Sequence, residues 1–308
     1  MTQQTGVIGK KIPRRKRLKT RSRDSLGYQF ISPAMLFFTV IAIFPTLYVV
    51  YLSLHTSPRG KPNDLTFAWF ANYIEAFQTP ALKAIVSHTL IFSLGSSFLH
   101  LLFGFLFALL LNSKMNRRFL TVCRTMLLTP WAISPAVVSM VWRLLAHPDI
   151  SPIGYLLSAI NPEWSFTPLA STDSALIMLT AINTWHFTPF YMLLLLAGMQ
   201  AINPELYEIS RIDGANWFQR IRHITVPLLR RLILTLLLFD VLTTAVYFDL
   251  PWITTRGGPA GATEVLSTFT YKQAFMSFDF GFAAAISMVL FAVSIFLSIF
   301  VVSLMERE

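Results

Sequence analysis

Six long apolar stretches constrain the fold of this chain more than any other feature of its sequence. Each is long enough for a helix to cross the hydrocarbon core of a bilayer, which takes about 20 apolar residues. Charged residues make up only 13% of the 308 positions, so a soluble fold of this size would lack the polar side chains that cover an exterior. We therefore predict an all-α membrane protein with six transmembrane helices. The predicted spans are about Tyr28–Leu54, Ile85–Leu111, Thr121–Ala146, Ala175–Met199, Leu232–Thr254 and Gly281–Leu304.

The distribution of basic residues predicts the direction in which the spans run. With the N-terminus in the cytoplasm, 19 of the 25 Lys and Arg residues fall on the cytoplasmic side and 6 on the other, which is the usual bias of membrane proteins. We therefore expect both termini in the cytoplasm. Residues 1–27 then form a basic leader that contacts anionic lipid, and residues 28–308 form one six-helix domain. The leader lacks the aromatic residues of a single-strand binder, so no nucleic-acid partner is expected.

The segment from Asn203 to Arg231, between the fourth and fifth spans, predicts two short helices rather than a simple connector. Asn203-Pro204-Glu205 is a strong helix start, with a capping side chain, a proline at the first position and an acid near the positive end. Asp213-Gly214 is a typical helix end. A second amphipathic helix is expected over 215–224, and we expect Pro227 to end it.

An amphipathic helix pair at a membrane surface has two uses that its pattern alone leaves open. The pair can lie on lipid headgroups with its apolar face turned into the bilayer. Alternatively, it can dock into a groove of a cytoplasmic protein.

The motif within this segment resembles the EAA loop of ABC importer permeases. Glu208 is followed at the family's spacing by Asp213-Gly214-Ala215 and then by Pro227. The sequence departs from the family pattern at four positions: Ile209 and Ser210 stand in place of two alanines, Ile221 in place of Phe, and Val226 in place of Leu.

Further segments are similar to the carbohydrate-type permeases of the maltose and glycerol-phosphate branch. The similarity covers nearly the whole chain from Tyr28 onward and leaves out the basic leader. The segments that carry it are Leu196–Glu208, Phe248-Asp249-Leu250, Thr255–Pro259 and Ser277–Ser287.

The resemblance implies a type I ABC importer permease fold in a bacterial inner membrane, with a cytoplasmic coupling-helix loop over residues 203–231. It implies four kinds of partner: a second, homologous permease subunit, a dimer of nucleotide-binding ATPase subunits, an extracytoplasmic solute-binding protein, and a sugar as solute. ATP and Mg²⁺ would be bound by the ATPase partners, because this chain has no phosphate-binding G-x-x-x-x-G-K-[ST] loop. We therefore expect no catalytic residue and no cofactor here. The residues implied in coupling to the ATPase are Glu208, Asp213, Gly214, Ala215, Trp217 and Ile221.

Polar side chains within the spans are candidates for lining a solute pathway, since such groups are costly in contact with lipid. Sugar sites combine aromatic faces with a few polar groups. Asn183, Phe187 and Tyr191 lie on one stripe of the fourth span, and Asp240 is the deepest acid of the fifth. We predict that these four line the pathway. For the stripe on the fourth span, ordinary helix packing is the alternative. For Asp240, the alternative is a structural pairing with the partner permease.

Three other functions are weighed against this one. An ABC permease for another class of solute, such as amino acids or metals, would be distinguished by which solute stimulates ATPase activity. An ion-coupled secondary transporter would show inverted repeats with broken helices, and the sequence has no obvious halves. A membrane-embedded enzyme would need a cluster of acids, bases or metal ligands, and the sequence shows none; with Cys123 as its only cysteine, no metal site is expected.

Overall fold

The computed structural model describes residues 21–56, 64–113 and 116–306. These residues form two compact units, one ending at Val49 and the other beginning at Val50. The part of the predicted leader before Arg21 lies outside the described residues.

The first unit is helical throughout its described length. Helix α1 (Arg21–Phe38) passes through a π turn (Thr39–Ile43) into α2 (Phe44–Ser53), whose last residues belong to the second unit. Helical structure therefore begins within the predicted leader, before Tyr28. None of the residues in the most apolar stretch of this helix is buried, as expected for a helix whose apolar surface faces lipid.

The second unit opens with a short hairpin that holds the start of the last helix. Strand β1 (His55–Thr56) pairs antiparallel with β2 (Thr66–Phe67), and α3 (Ala71–Gln78) follows. The Asn72 Nδ2 donates to the carbonyl oxygens of Ser53 and His55, at 2.9 Å each. A Cβ on Gly281 would lie 2.1 Å from that His55 oxygen, so only glycine allows the last helix to start there.

The remaining helices form the bundle that holds the sites described below. In chain order they are α4 (Pro80–Leu111), α5 (Arg117–Ala132), α6 (Pro135–Leu145), α7 (Pro152–Ile160), α8 (Thr172–Gln200), α9 (Pro204–Ile212), α10 (Trp217–Arg220), α11 (Val226–Ala245), α12 (Asp249–Thr255), α13 (Leu266–Tyr271) and α14 (Phe280–Glu306). Two further π turns, Ile221–Thr225 and Lys272–Met276, follow α10 and α13.

Helices α4 and α8 form the most extensive contact of the bundle. Helix association in lipid depends on close van der Waals packing, which small residues permit. At Gly104 a Cβ would lie 3.0 Å from the backbone nitrogen of Met192, so the two backbones nearly touch there. The buried residues of α4 include several other small ones: Ser93, Ser96, Ser97 and Ala108.

The third predicted span is wrong as a single helix. Helices α5 and α6 meet at a bend of 91°. Pro135 is the first residue of α6, and it has no N–H to continue the hydrogen-bond ladder of α5. The proline also forces the preceding residue, Ser134, out of helical geometry. Beyond the bend, Arg143 of α6 donates to the carbonyl oxygen of Ile253 in α12 at 3.3 Å.

The fifth predicted span also differs from the structure at its outer end. It was expected to continue to Thr254, but α11 ends at Ala245 and a separate helix, α12, begins at Asp249. Pro251 suits the first turn of a new helix, where no N–H is needed.

Described helices occupy all six predicted positions, but the count of six spans is not confirmed. Four are long and apolar enough to cross a membrane by length and composition, or five if the bent pair α5–α6 is one span. Helix α8, with 29 residues, is not among them. Its middle carries Asn183, Thr184 and His186, which lower its apolarity and, being buried, face protein rather than lipid.

Candidate functional site

The loop between α8 and α11 starts with α9, at the residues that the sequence predicts. The Asn203 side chain accepts a hydrogen bond from the backbone N–H of Glu205 at 3.1 Å, and Pro204 is the first helical residue. The cap satisfies one of the free N–H groups at this helix start. Pro204 needs no such partner.

Gly214 ends α9 in a turn that requires glycine for its backbone conformation. Its φ is +78°, a region that L side chains rarely adopt, although a Cβ there would meet nothing within 4 Å. The turn is closed by backbone hydrogen bonds from Gly214 to Arg211 (3.1 Å) and from Ala215 to Ser210 (2.9 Å). The helix end predicted at Asp213-Gly214 is therefore confirmed.

The sequence predicts that the second helix of the loop ends at Pro227, and this prediction is wrong. The helix starts at Trp217 behind a capping box made by Asn216 and Gln219, then runs through the π turn Ile221–Thr225 directly into α11. In the π turn the Val226 N–H donates to the Ile221 carbonyl, five residues back. This wider ladder carries the helix past a proline that has no N–H to give.

The loop exposes an apolar surface, which we call the docking face. Its largest exposures are Ile212 at 86%, and Trp217 and Phe218 at 62% each. Glu208 is also exposed, and the described part of the chain offers it no ion pair. The docking face consists of Leu206, Ile209, Ile212, Trp217 and Phe218.

A groove of about 500 Å³ lies between this loop and the ends of α4 and α8. Of the residues predicted to couple to an ATPase, Glu208, Trp217 and Ile221 line it. The other three, Asp213, Gly214 and Ala215, form the turn instead and do not line it. Tyr207 and Thr225 also line the groove, and their hydroxyls lie 2.9 Å apart and join the two halves of the loop.

A second cavity, of about 260 Å³, lies between α8 and α11, and we call it the pathway cavity. All four residues predicted for the solute pathway line it, so the structure brings together side chains from two separate spans. The complete lining is Trp131, Asn183, Phe187, Phe190, Tyr191, Phe239, Asp240, Thr243, Thr244 and Tyr247.

Asp240 is held by a residue whose role the sequence analysis missed. The Nδ1 of His100, in α4, lies 2.8 Å from the Asp240 Oδ2, and its Nε2 lies 3.0 Å from the Asn183 carbonyl oxygen. Thr244 donates to the other carboxylate oxygen at 3.0 Å. Asp240 thus has hydrogen-bond partners within its own chain, in α4 and α11. An unexplained histidine in the middle of an apolar span was the available signal.

Aromatic rings surround this pair. Tyr191 stacks on the His100 imidazole with 5.2 Å between centroids and 5° between planes, and Phe187 meets the same ring edge-on at 6.1 Å. Phe190 and Tyr247 continue the aromatic wall, each in contact with one of these rings.

The Asn183 side chain is a buried polar group of the cavity that lacks partners among the described residues. It is 1% exposed, and neither its Nδ2 nor its Oδ1 has a hydrogen-bond partner among the described residues. A buried amide left in this state costs about 1–3 kcal/mol. Such a cost is offset when a bound molecule supplies the missing hydrogen bonds.

Residues 100–307 match the family described as binding-protein-dependent transport system inner membrane component. The chain is 32% identical to the trehalose/maltose transport system permease protein MalF of Thermococcus litoralis, over 89% of this chain and 91% of the relative. It is 31% identical to the sn-glycerol-3-phosphate transport system permease protein UgpA of Rhizobium meliloti, over 92% and 95%.

Among solved structures, the fold is similar to a chain of a bacterial alginate ABC transporter in complex with an alginate pentasaccharide-bound periplasmic protein. The TM-score is 0.81 at 22% identity, over 93% of this chain and 96% of that one. This likeness concerns the fold alone.

Proposed function

Because the chain belongs to the family of binding-protein-dependent transport system inner membrane components, we propose that it is the permease subunit of an ATP-driven importer that moves a sugar or sugar derivative into the cytoplasm. It works by alternating access, together with a second permease subunit. A dimer of nucleotide-binding subunits hydrolyses ATP, and an extracytoplasmic binding protein delivers the solute. The chain lies in a bacterial inner membrane with both termini in the cytoplasm.

The observation that carries this proposal is the continuity between the loop and the pathway cavity. The docking face includes Trp217, and the helix that starts there runs without interruption into α11, which carries Asp240. A movement imposed on the loop is therefore passed to the cavity wall through a helix. This continuity favours docking onto a protein over a passive position on lipid headgroups.

Glu208 supplies the charge for docking. It is exposed at the loop and unpaired within the described residues, so it can reach a basic group of a nucleotide-binding subunit. The apolar docking face around it supplies area that becomes buried on contact, and charge complementarity fixes the orientation.

The sugar assignment rests on the cavity chemistry and on the relatives. Aromatic rings offer faces for the C–H surfaces of a sugar, and the free amide of Asn183 offers both a donor and an acceptor for hydroxyl groups. The two relatives above carry trehalose/maltose and sn-glycerol-3-phosphate in their names.

The test is reconstitution of the complete complex in proteoliposomes, with the second permease, the ATPase and the binding protein of the same organism. We expect the chain to co-purify with the ATPase, and sugar-loaded binding protein to stimulate ATP hydrolysis and uptake. Failure to co-purify, or uptake that proceeds on an ion gradient without ATP, would contradict the proposal.

A further inference from the structure

The pathway cavity contains one ionisable acid and no basic side chain. Asp240 is 1% exposed, and no Lys or Arg is found among the described residues that line the cavity. A carboxylate at such a position is costly unless its charge is compensated. The Thr244 hydroxyl of the lining donates to one carboxylate oxygen, and the ionisable partner of the other, His100, lies outside the lining and is fully buried in α4.

The hydrogen-bond pattern around His100 fixes the protons of this pair. A carbonyl oxygen only accepts, so the Nε2 that faces Asn183 carries a proton. The 2.8 Å contact between Nδ1 and the Asp240 Oδ2 needs a second proton, which resides on one atom or the other. If it is on His100, a cation faces an anion; if it is on Asp240, both groups are neutral. The pair has zero net charge in either case.

We propose that the His100–Asp240 pair keeps the pathway cavity electrically neutral, and that the cavity therefore selects an uncharged saccharide over sugar phosphates and sugar acids. His100 acts as a positioning residue, because it acts on the solute through Asp240. This inference rests on the proposed function and adds the charge class of the solute. The relatives leave that class open, since their names include both a neutral sugar and a phosphate ester.

The rest of the cavity is built for the same kind of solute. A phosphate or carboxylate entering it would meet no cation and would lie near Asp240, so it would lose its hydration without gaining a partner. A neutral sugar loses less hydration free energy on entering, and its hydroxyl groups can form hydrogen bonds with the free Asn183 amide and with Thr243. Its apolar faces can stack on Phe187 or Tyr191.

The first experiment measures which class of solute is carried. Proteoliposomes with the complete complex are given neutral mono- to trisaccharides, including maltose and trehalose, and the matching uronic acids and sugar phosphates. We expect uptake of a neutral saccharide and little uptake of its acidic counterpart. Uptake of only the acidic class, or of both equally, would overturn the inference and leave the proposed function standing. Uptake of neither class would overturn the proposed function as well.

The second experiment tests the charge pair with the transported saccharide. His100→Gln leaves the Asp240 charge uncompensated, and we expect uptake to fall about tenfold or more. Adding Asp240→Asn removes that charge, so the double variant should exceed the single His100→Gln variant by about threefold or more. If His100→Gln acts only through lost packing, the double variant should take up less saccharide than the single variant. That result would overturn the inference.

A matched control separates charge from general loss of a buried histidine. His186 is also buried, and its Nε2 lies 3.0 Å from the Ile133 carbonyl oxygen, but it does not contact a carboxylate in the described residues. Asp240→Asn should not raise the uptake of a His186→Gln variant. If His100→Gln fails to assemble with the ATPase, assembly becomes the readout: the double variant should recover co-purification, and failure to do so would count against the pair.

Discussion

Replacement of Gly214 is the sharpest test of the loop, because the structure separates conformational cost from steric cost at this position. A Cβ would meet nothing within 4 Å, so Gly214→Ala introduces no clash. Its φ of +78° remains costly for an L residue, by about 1–2 kcal/mol. If the observed turn is the one that docks, the affinity of the loop for its ATPase partner falls by a factor of about 5–30.

Two further substitutions at the same position grade the effect. Asn tolerates positive φ better than Ala, so Gly214→Asn should be the mildest variant. Pro fixes φ near −65° and removes the N–H that bonds to the Arg211 carbonyl at 3.1 Å. Gly214→Pro should therefore be the most severe, with ATP hydrolysis uncoupled from uptake while the spans remain inserted.

The assay is the ratio of sugar taken up to ATP hydrolysed in proteoliposomes, with insertion checked by recovery of the chain in the membrane. We expect the order wild type, Asn, Ala, Pro. Normal coupling in Gly214→Pro would refute the role of this turn, and a more severe effect of Asn than of Ala would refute the conformational argument.

Three other substitutions test separate parts of the structure. Glu208→Ala should reduce co-purification with the ATPase and uncouple hydrolysis from uptake, with Glu208→Gln intermediate; normal uptake in both would count against an ion pair. Asn183→Leu should raise the KM for sugar by about tenfold, which corresponds to about 1.4 kcal/mol of lost hydrogen bonding in total, without changing basal ATP hydrolysis; an unchanged KM would remove Asn183 from the pathway. Gly281→Ala places a Cβ 2.1 Å from the His55 oxygen and should lower the melting temperature of the detergent-solubilised chain by several degrees, whereas Gly95→Ala, whose Cβ would lie 3.7 Å from Thr180, should not.

The parts of this structure that the sequence predicts are those set by local chemistry. The cap at Asn203 and the turn at Gly214 depend on side chains and backbone within a few residues, so their pattern is sufficient. The stripe from Asn183 to Tyr191 follows from helical periodicity. These stripe residues line the same cavity as Asp240 because α8 and α11 pack together.

The features that sequence reasoning missed depend on competition between local rules or on distant contacts. Apolarity continues across Ser134-Pro135, so a search for long apolar segments does not detect the bend between α5 and α6. Pro227 does not end the helix, because a π turn precedes it, and the residue pattern does not predict a π turn. The His100–Asp240 bond joins residues 140 positions apart, and neither sequence neighbourhood points to the other.

The π turn between α10 and α11 has a mechanical consequence. Trp217 and Asp240 are 23 residues apart on one continuous helical path, which is about 35 Å at 1.5 Å per residue. Over such a lever arm, a tilt of about 5° pivoting near Asp240 displaces Trp217 by about 3 Å. A displacement of about 3 Å at the loop thus corresponds to a rotation of only about 5° at the cavity wall, so a large movement of Trp217 reaches Asp240 as a small one.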